Sequence, residues 1–286
     1  MNIPSRKTSS TSKTAFNGKG VLVTGSGTGI GREIALEFAR QGADVAFHYN
    51  ASPDGALSGV ADARACGVRA EAFRANLADL TEGNRLAEEA TAFLGKINAL
   101  VNNAGITFNK PFLKVDPVQF QKVYDVNVRA GFFLIQKLVP VMIESGGGVV
   151  CNLTSIHGLQ GVTEHAVYAG TKGAIIAYTR ALGVELAHRG VRINAIAPGW
   201  IAVENHAKAI PNYDPAQAKR QASERVPAGR YGLPIDVARL AVFLCSDAAS
   251  FLVGQTIILD GGTTALMSLM PDFRSESTAR FGEGYL

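Results

Sequence analysis

The chain has 286 residues, 47% hydrophobic and 18% charged, which is enough apolar material for a large core and excludes an intrinsically disordered protein. Its formal charge is +4, from 28 basic and 24 acidic residues. Arg6, Lys7, Lys13 and Lys19 account for the excess, and the neutral remainder lacks the concentrated basic face that nucleic-acid binding needs.

Residues 1–19 form a Ser-, Thr- and Lys-rich tail without an apolar stripe, expected to be disordered. A single domain is expected over 20–262 and an extension over 263–286. Short apolar, β-branched runs at 20–24, 44–49, 69–74, 98–103, 148–154, 191–197 and 256–260 read as buried strands. Helical periodicity lies between them, near 30–41, 54–66, 82–94, 118–144, 166–189 and 234–246. This alternation predicts one doubly wound α/β domain, a parallel sheet of about seven strands with helices on both faces. Residues 200–230 break the rhythm just after a strand's carboxyl end, where ligands bind in such sheets, and are expected to form a substrate loop or lid. The extension carries apolar residues without clear period (Leu266, Met267, Leu269, Met270, Phe273, Phe281, Tyr285 and Leu286), which predicts that this subunit or a neighbour covers them.

Cys66, Cys151 and Cys245 are odd in number, widely spaced and without a CxxC pair, so a reducing, cytoplasmic compartment is expected. The five histidines have no ligand spacing to cysteine or carboxylate, so no metal site is expected. No uninterrupted apolar run approaches the roughly 20 residues of a membrane span, and no membrane association is expected.

The most informative stretch is Thr24-Gly25-Ser26-Gly27-Thr28-Gly29-Ile30-Gly31, between the strand-like Val21–Thr24 and a helical run carrying Ile34, Ala35, Phe38 and Ala39. A glycine turn from a strand into a helix N-terminus presents bare N–H groups and the positive end of the helix dipole, a site for a pyrophosphate. Tyr168-Ala169-Gly170-Thr171-Lys172 sets a phenol and an ammonium on one helix face. The ammonium favours phenolate, so the tyrosine pKa is expected to fall toward the working range of an acid/base. Ser155 ends the run Val149–Thr154 and emerges at the sheet's carboxyl edge. Asn127 lies within a helical pattern, where an amide is usually solvated or locally bonded.

Together, Thr24-Gly25-x-x-x-Gly29-Ile30-Gly31, Asn102-Asn103-Ala104-Gly105, Asn127, Ser155, Tyr168-x-x-x-Lys172, Pro198-Gly199 and Asp260-Gly261-Gly262 resemble the single-domain short-chain dehydrogenases/reductases in order and spacing. The resemblance covers roughly residues 18–262 and implies a Rossmann-type fold. It implies that Tyr168 is the acid/base, that Lys172 lowers its pKa and holds the nicotinamide ribose, and that Ser155 binds the substrate oxygen. Asn127 would support a water leading to Lys172. Gly25, Thr28, Gly29, Ile30 and Gly31 would hold the phosphates, Asn103, Ala104 and Gly105 the adenosine side, and Pro198, Gly199 and Ile201 the nicotinamide. Two positions depart from the family pattern: Asn76-Leu77 where an Asp often meets adenine, and Val203 where a Thr commonly bonds the carboxamide.

At the end of the second strand, Phe47-His48-Tyr49-Asn50-Ala51-Ser52 carries no acid to hold a ribose 2′-hydroxyl. His48, Asn50 and Ser52, beside Tyr49, are expected to accommodate a 2′-phosphate, which favours NADP(H) and leaves NAD(H) open. His157 and His165 flank Ser155 and Tyr168, and Trp200, Glu204, Asn205 and His206 fall in the expected lid. Such groups suit a sugar, sugar acid or polyol; Leu159, Val162, Val167 and Trp200 keep a 3-ketoacyl-thioester reductase as the alternative. A catalytically inactive nucleotide sensor is the rival from another class, against which Ser155, Tyr168 and Lys172 are intact. Apolar surface on 118–144 and 166–189 predicts a subunit interface, a homotetramer by the resemblance.

Overall fold

A computed structural model of the chain describes residues 15–204, 210, 212–266 and 274. Most of the expected N-terminal tail, Asn205 and His206 of the expected lid, and most of the apolar C-terminal residues lie outside these described residues.

Seven parallel strands run in the order β3-β2-β1-β4-β5-β6-β7. They are β1 (Gly20–Val23), β2 (Asp44–Tyr49), β3 (Ala70–Arg74), β4 (Ala99–Asn102), β5 (Gly148–Leu153), β6 (Val191–Pro198) and β7 (Thr256–Leu259). The chain builds outward from β1 to β3, then crosses back to lay β4 on the other side of β1, and a crevice opens between β1 and β4 at the carboxyl ends. On β1, Val21 and Val23 face a core shared with Ile34 and Phe38 of α1 (Gly29–Arg40), Val60 of α2 (Pro53–Ala65), and Val237 and Ala241 of the helix Pro234–Cys245. Leu22 faces the opposite core, with Leu86 of α3 (Leu80–Leu94) and Leu134, Leu138 and Met142 of α5 (Ala130–Glu144). The two-residue alternation along one strand thus divides the apolar residues between two helical layers.

The expected helix over 118–144 is interrupted. Asp116 caps α4 (Pro117–Tyr124) by accepting the Gln119 N–H at 2.8 Å, and a π-turn at Asp125–Arg129 leads into α5. Apolar periodicity cannot register one wider turn, so the sequence reads as a single helix. By length and composition alone the stretch Pro117–Glu144 is apolar enough to cross a membrane (mean hydropathy 1.4), although Lys122, Asp125, Arg129 and Lys137 interrupt it. Its Leu134, Ile135, Leu138 and Met142 are core residues. Within the expected lid lies an unforeseen helix, α7 (Pro215–Arg225), which follows α6 (Ala166–Ala187) in the chain. Only Ala218 and Ala222 of α7 are buried, too few to mark an apolar stripe in sequence. Cys151 of β5 and Cys245, distant in sequence, hydrogen-bond across the core as free thiols.

One imidazole ties the glycine turn to the sheet. His48, at the end of β2, is 2% exposed. Its Nδ1 accepts the Gly25 N–H at 2.9 Å, and a backbone N–H can only donate, so the ring proton sits on Nε2 and is donated to the Ala75 carbonyl at 3.0 Å. Ser26 completes the tie: its Oγ accepts the His48 N–H at 2.9 Å and its N–H donates to the His48 carbonyl at 2.8 Å.

Burial pushes the His48 pKa down to about 4 from an ordinary 6.5, because the charged ring is excluded from water. The folded state therefore holds fewer protons than the unfolded one between these values. Stability from this group is complete above pH 6.5 and is lost as pH falls through about 4, in full about 3 kcal/mol. Denaturant unfolding between pH 7 and pH 4 should show His48→Gln as less stable at neutral pH but with a flatter acid limb. An unchanged acid limb would remove His48 as its cause.

Candidate active site

A cavity of about 670 Å³ occupies the crevice at the carboxyl ends of β1, β2 and β4. Its walls include Gly25, Thr28, Gly29, Ile30 and Gly31 from the glycine turn, with Tyr49 at the end of β2 and Asn50 and Ser52 just beyond it. Asn76 and Leu77, then Asn103, Ala104 and Gly105, line the remainder. No side chain caps α1, so the positive end of its dipole opens on this space. Asn103 braces the turn, its Nδ2 donating to the carbonyls of Thr24 and Gly25 at 2.9 and 3.1 Å. A Cβ on Gly31 would stand 2.3 Å from both that amide nitrogen and the Gly25 carbonyl oxygen, so only glycine permits the brace. An elongated space with bare backbone at a helix N-terminus fits the diphosphate of a dinucleotide. Lys122 and Ala78 also line it, and no sequence signal singled them out.

A second cavity, of about 580 Å³, adjoins the first, and Ile30 and Val203 line both. Ser155, Tyr168, Pro198, Gly199, Trp200 and Ile201 line it, with His157 at its wall. Ser155 opens a short 3₁₀ turn, its Oγ accepting the His157 N–H at 3.2 Å. That turn lies directly on α6: a Cβ on Gly158 would stand 2.8 Å from the Lys172 carbonyl carbon. The close approach brings Ser155 within hydrogen-bonding reach of the Tyr168 hydroxyl, which Thr107 also hydrogen-bonds. Thr107 went unnoticed in the sequence, although it lies two residues beyond Asn102–Gly105.

Lys172 is buried, and its Nζ donates to the Leu153 carbonyl at 2.9 Å while standing 5.5 Å from the centre of the Tyr168 ring. Burial alone lowers its pKa to about 8. The tyrosine departs from expectation. Burial pushes the Tyr168 phenol above its ordinary value, outweighing the opposing hydrogen bonds from Ser155 and Thr107. Lys172 is not among the groups that set this direction.

Asn127 is buried in the π-turn rather than solvated. Its Oδ1 accepts the Ile106 N–H at 2.8 Å, and its Nδ2 donates to the Ile106 carbonyl at 3.0 Å and to Thr171 Oγ1 at 3.2 Å. Both amide hydrogens are thus spent on protein partners, and the side chain's visible work is to fasten the Ile106 loop to α6.

Several expected contacts are not made. His48 cannot serve a 2′-phosphate, because both ring nitrogens are engaged with backbone. His165 does not line the second cavity; it packs behind His157 at 5.0 Å between ring centres, with Nδ1 donating to the Thr163 carbonyl at 2.8 Å. Glu204 is exposed and lines neither cavity, and His206 lies outside the described residues. Conversely, Arg225, Val226 and Thr263 line the second cavity without having been foreseen. Among the described residues no group of three His, Cys, Asp or Glu side chains could hold a metal ion.

A family profile described as enoyl-(acyl carrier protein) reductase matches residues 25–264. The 3-oxoacyl-[acyl-carrier-protein] reductase FabG of Staphylococcus epidermidis is 38% identical over 244 residues, 85% of this chain and 98% of that protein. Among solved structures, a 7α-hydroxysteroid dehydrogenase complexed with NADH and 7-oxo glycochenodeoxycholic acid superposes with a TM-score of 0.82 at 34% identity, covering 87% of this chain and 96% of that one. A Beutenbergia cavernae protein provisionally assigned as an NAD(P)-dependent gluconate 5-dehydrogenase, with NADP bound at low occupancy, gives 0.81 at 37% identity over 89% of this chain and all of its own. The matched length, the parallel seven-stranded sheet and these relatives together establish that the chain belongs to the short-chain dehydrogenase/reductase family of oxidoreductases.

Proposed function

We propose that this oxidoreductase interconverts a secondary alcohol and a ketone, or a lactol and a lactone, with Tyr168 as the acid/base and a sugar, sugar acid or polyol as substrate. The observation that carries the reading is the convergence of Ser155, Tyr168 and buried Lys172 beside a cavity that adjoins the crevice of the glycine turn. A nicotinamide dinucleotide in that crevice supplies or accepts the hydride. Glycines 25, 29 and 31 with the N-terminus of α1 would hold its phosphates, and Pro198, Gly199 and Ile201 its nicotinamide end.

In the reductive direction the Tyr168 hydroxyl gives its proton to the carbonyl oxygen, while the Ser155 hydroxyl donates a hydrogen bond to that oxygen as charge builds. Burial keeps the resting phenol in the protonated form from which reduction starts. The reverse reaction returns the proton to the tyrosine oxygen. Asn127 positions: through Ile106 and Thr171 it fixes the loop and the helix that carry the reacting groups. A 3-ketoacyl-thioester reductase is the second reading, favoured by the 38% identity to FabG. Intact Ser155, Tyr168 and Lys172 argue against an inactive sensor.

NADP(H) is the proposed cofactor and NAD(H) the alternative, because Tyr49, Asn50 and Ser52 line the cavity at the end of β2 and just beyond it without an acid. A homotetramer is proposed from the apolar surface left exposed on helices α5 and α6, including Phe133 and Val184, and a cytoplasmic setting from the free thiols.

Tyr168→Phe should lower kcat by about a hundredfold or more while NADPH still binds; retained turnover would sink the acid/base role. Titration of nicotinamide fluorescence should give NADPH a Kd at least about tenfold below that of NADH, or about 1.4 kcal/mol. Tighter NADH would reverse the cofactor assignment. Light scattering on the size-exclusion peak at micromolar concentration should return four subunits, and a monomer there would refute the interface.

A further inference from the structure

The described residues lining the second cavity include one permanent cation, Arg225, and neither Asp nor Glu. Acids near its polar residues in sequence are Glu164, Glu204, Glu224 and Asp260; none lines it, the first three are exposed, and the Asp260 carboxylate accepts the Gly262 and Thr264 N–H groups. No hydrogen bond or ion pair joins the Arg225 side chain to another described residue. Arg32, Arg69 and Arg230 pair with Asp62, Asp44 and Asp236, whereas the exposed Arg74, Arg180, Arg189 and Arg239 lie away from both cavities.

An arginine ending a helix commonly complements the helix dipole. Here another residue fills that role. Arg225 closes α7, and the carbonyls of Ser223 and Glu224 in the same last turn accept hydrogen bonds from Arg274, at 2.9 Å in the case of Ser223. The backbone beyond is fixed as well: buried Val226 donates its N–H to the Ala222 carbonyl at 3.0 Å, and the Ala228 N–H donates to Gly261 at 2.9 Å. The main chain therefore holds the root of the Arg225 side chain at the cavity wall.

His157 stands in the same wall and adds no charge to it. Its Nδ1 is buried and has no hydrogen-bond partner among the described residues, and its ring lies 5.8 Å from that of Tyr168. Burial and the neighbouring His165 hold its pKa below the ordinary value, so it is a neutral hydrogen-bonding group at pH 7 and the fixed charge rests on Arg225. A planar guanidinium without a carboxylate partner among the described residues, at the rim of a cavity that holds a proton donor, matches a carboxylate brought by the ligand.

Resting on the oxidoreductase reading above, we propose that the substrate is a carboxylate, a hydroxy or keto acid of the sugar-acid kind, and that Arg225 anchors its anionic end. Arg225 thereby determines specificity: it selects the acid over the corresponding uncharged polyol and leaves the proton and hydride steps to the other residues.

The test is steady-state kinetics of the full-length protein and its Arg225→Gln and Arg225→Lys variants on short sugar acids and the matching polyols, gluconate and glucitol among them. Unfolding temperature and NADPH binding check that each variant is folded. Arg225→Gln should raise KM for the acids by about tenfold to a hundredfold, with kcat little altered and the polyols unaffected. Arg225→Lys should recover part of the loss. Equal turnover of acid and polyol by the wild type, or equal effects of Arg225→Gln on both, overturns the anion site and leaves the oxidoreductase reading standing. Selective loss toward a ketoacyl thioester of phosphopantetheine would move the contact to a phosphate and overturn the carboxylate assignment. Failure of the wild type to turn over any alcohol or ketone with either nicotinamide cofactor overturns both readings together.

Discussion

The candidate site depends on a neutral histidine buried beneath a glycine turn. A glycine-rich loop is entropically costly to hold in one shape, and the bare N–H groups that make it a phosphate cradle are the groups it would otherwise use to brace itself. This chain braces it from below. The His48 imidazole accepts one N–H of the turn and donates to the end of the neighbouring strand, while Ser26 and Asn103 hold the turn from either side. The bracing is done by side chains of β2 and of the segment after β4, so the first-turn amides of α1 are left without a side-chain partner. A residue that sequence reasoning assigns to ligand contact is structural because its two nitrogens are both used, a fact that depends on the register of β2 against β1 and β3.

The second half of the site hangs on buried polar contacts rather than on apolar packing alone. Asn102 donates to Asn152 at 3.0 Å, and Asn152 donates to Thr179 at 2.9 Å, which links β4, β5 and α6 inside the core. Asn127 joins the Ile106 loop to Thr171, and Thr154 donates to the Lys172 carbonyl at 2.8 Å. Apolar surfaces can slide with little loss, whereas a buried amide deprived of its partner costs about 1–3 kcal/mol. These contacts fix α6 in both height and rotation, and the rotation decides whether Tyr168 meets Ser155.

Much of this was legible in the sequence, and the failures share a cause. Runs such as Val21–Val23 and Val191–Pro198 are short, apolar and bounded by glycine or charge, so all seven strands are readable. The glycine turn and Tyr168-x-x-x-Lys172 are contiguous motifs, and contiguity survives in one dimension. What sequence does not carry is which polar group meets which. The π-turn at Asn127 adds no apolar signal, and α7 buries only two alanines. Thr107 and Arg225 reach the second cavity from segments far apart in the chain, and His165, beside Tyr168 in sequence, is kept from that cavity by His157.

The tyrosine–lysine pair shows how burial reverses a simple charge argument. From spacing alone the ammonium should draw the phenol's pKa down toward the working range of an acid/base. Instead, burial acts on both groups at once: it disfavours the ammonium, which loses its proton near pH 8, and it disfavours the phenolate. At neutral pH the resting pair is therefore an ammonium beside an intact phenol. In the proposed reduction the phenol becomes a phenolate only as its proton leaves for the substrate oxygen. The buried cation, 5.5 Å from the ring and already hydrogen-bonded to Leu153, then faces an anion it did not face before. Its attraction grows with the charge that the proposed reaction creates, so in that reaction Lys172 would favour the transition state over the resting state. In water the same pair would be screened at every stage, and the lysine would gain little from the change.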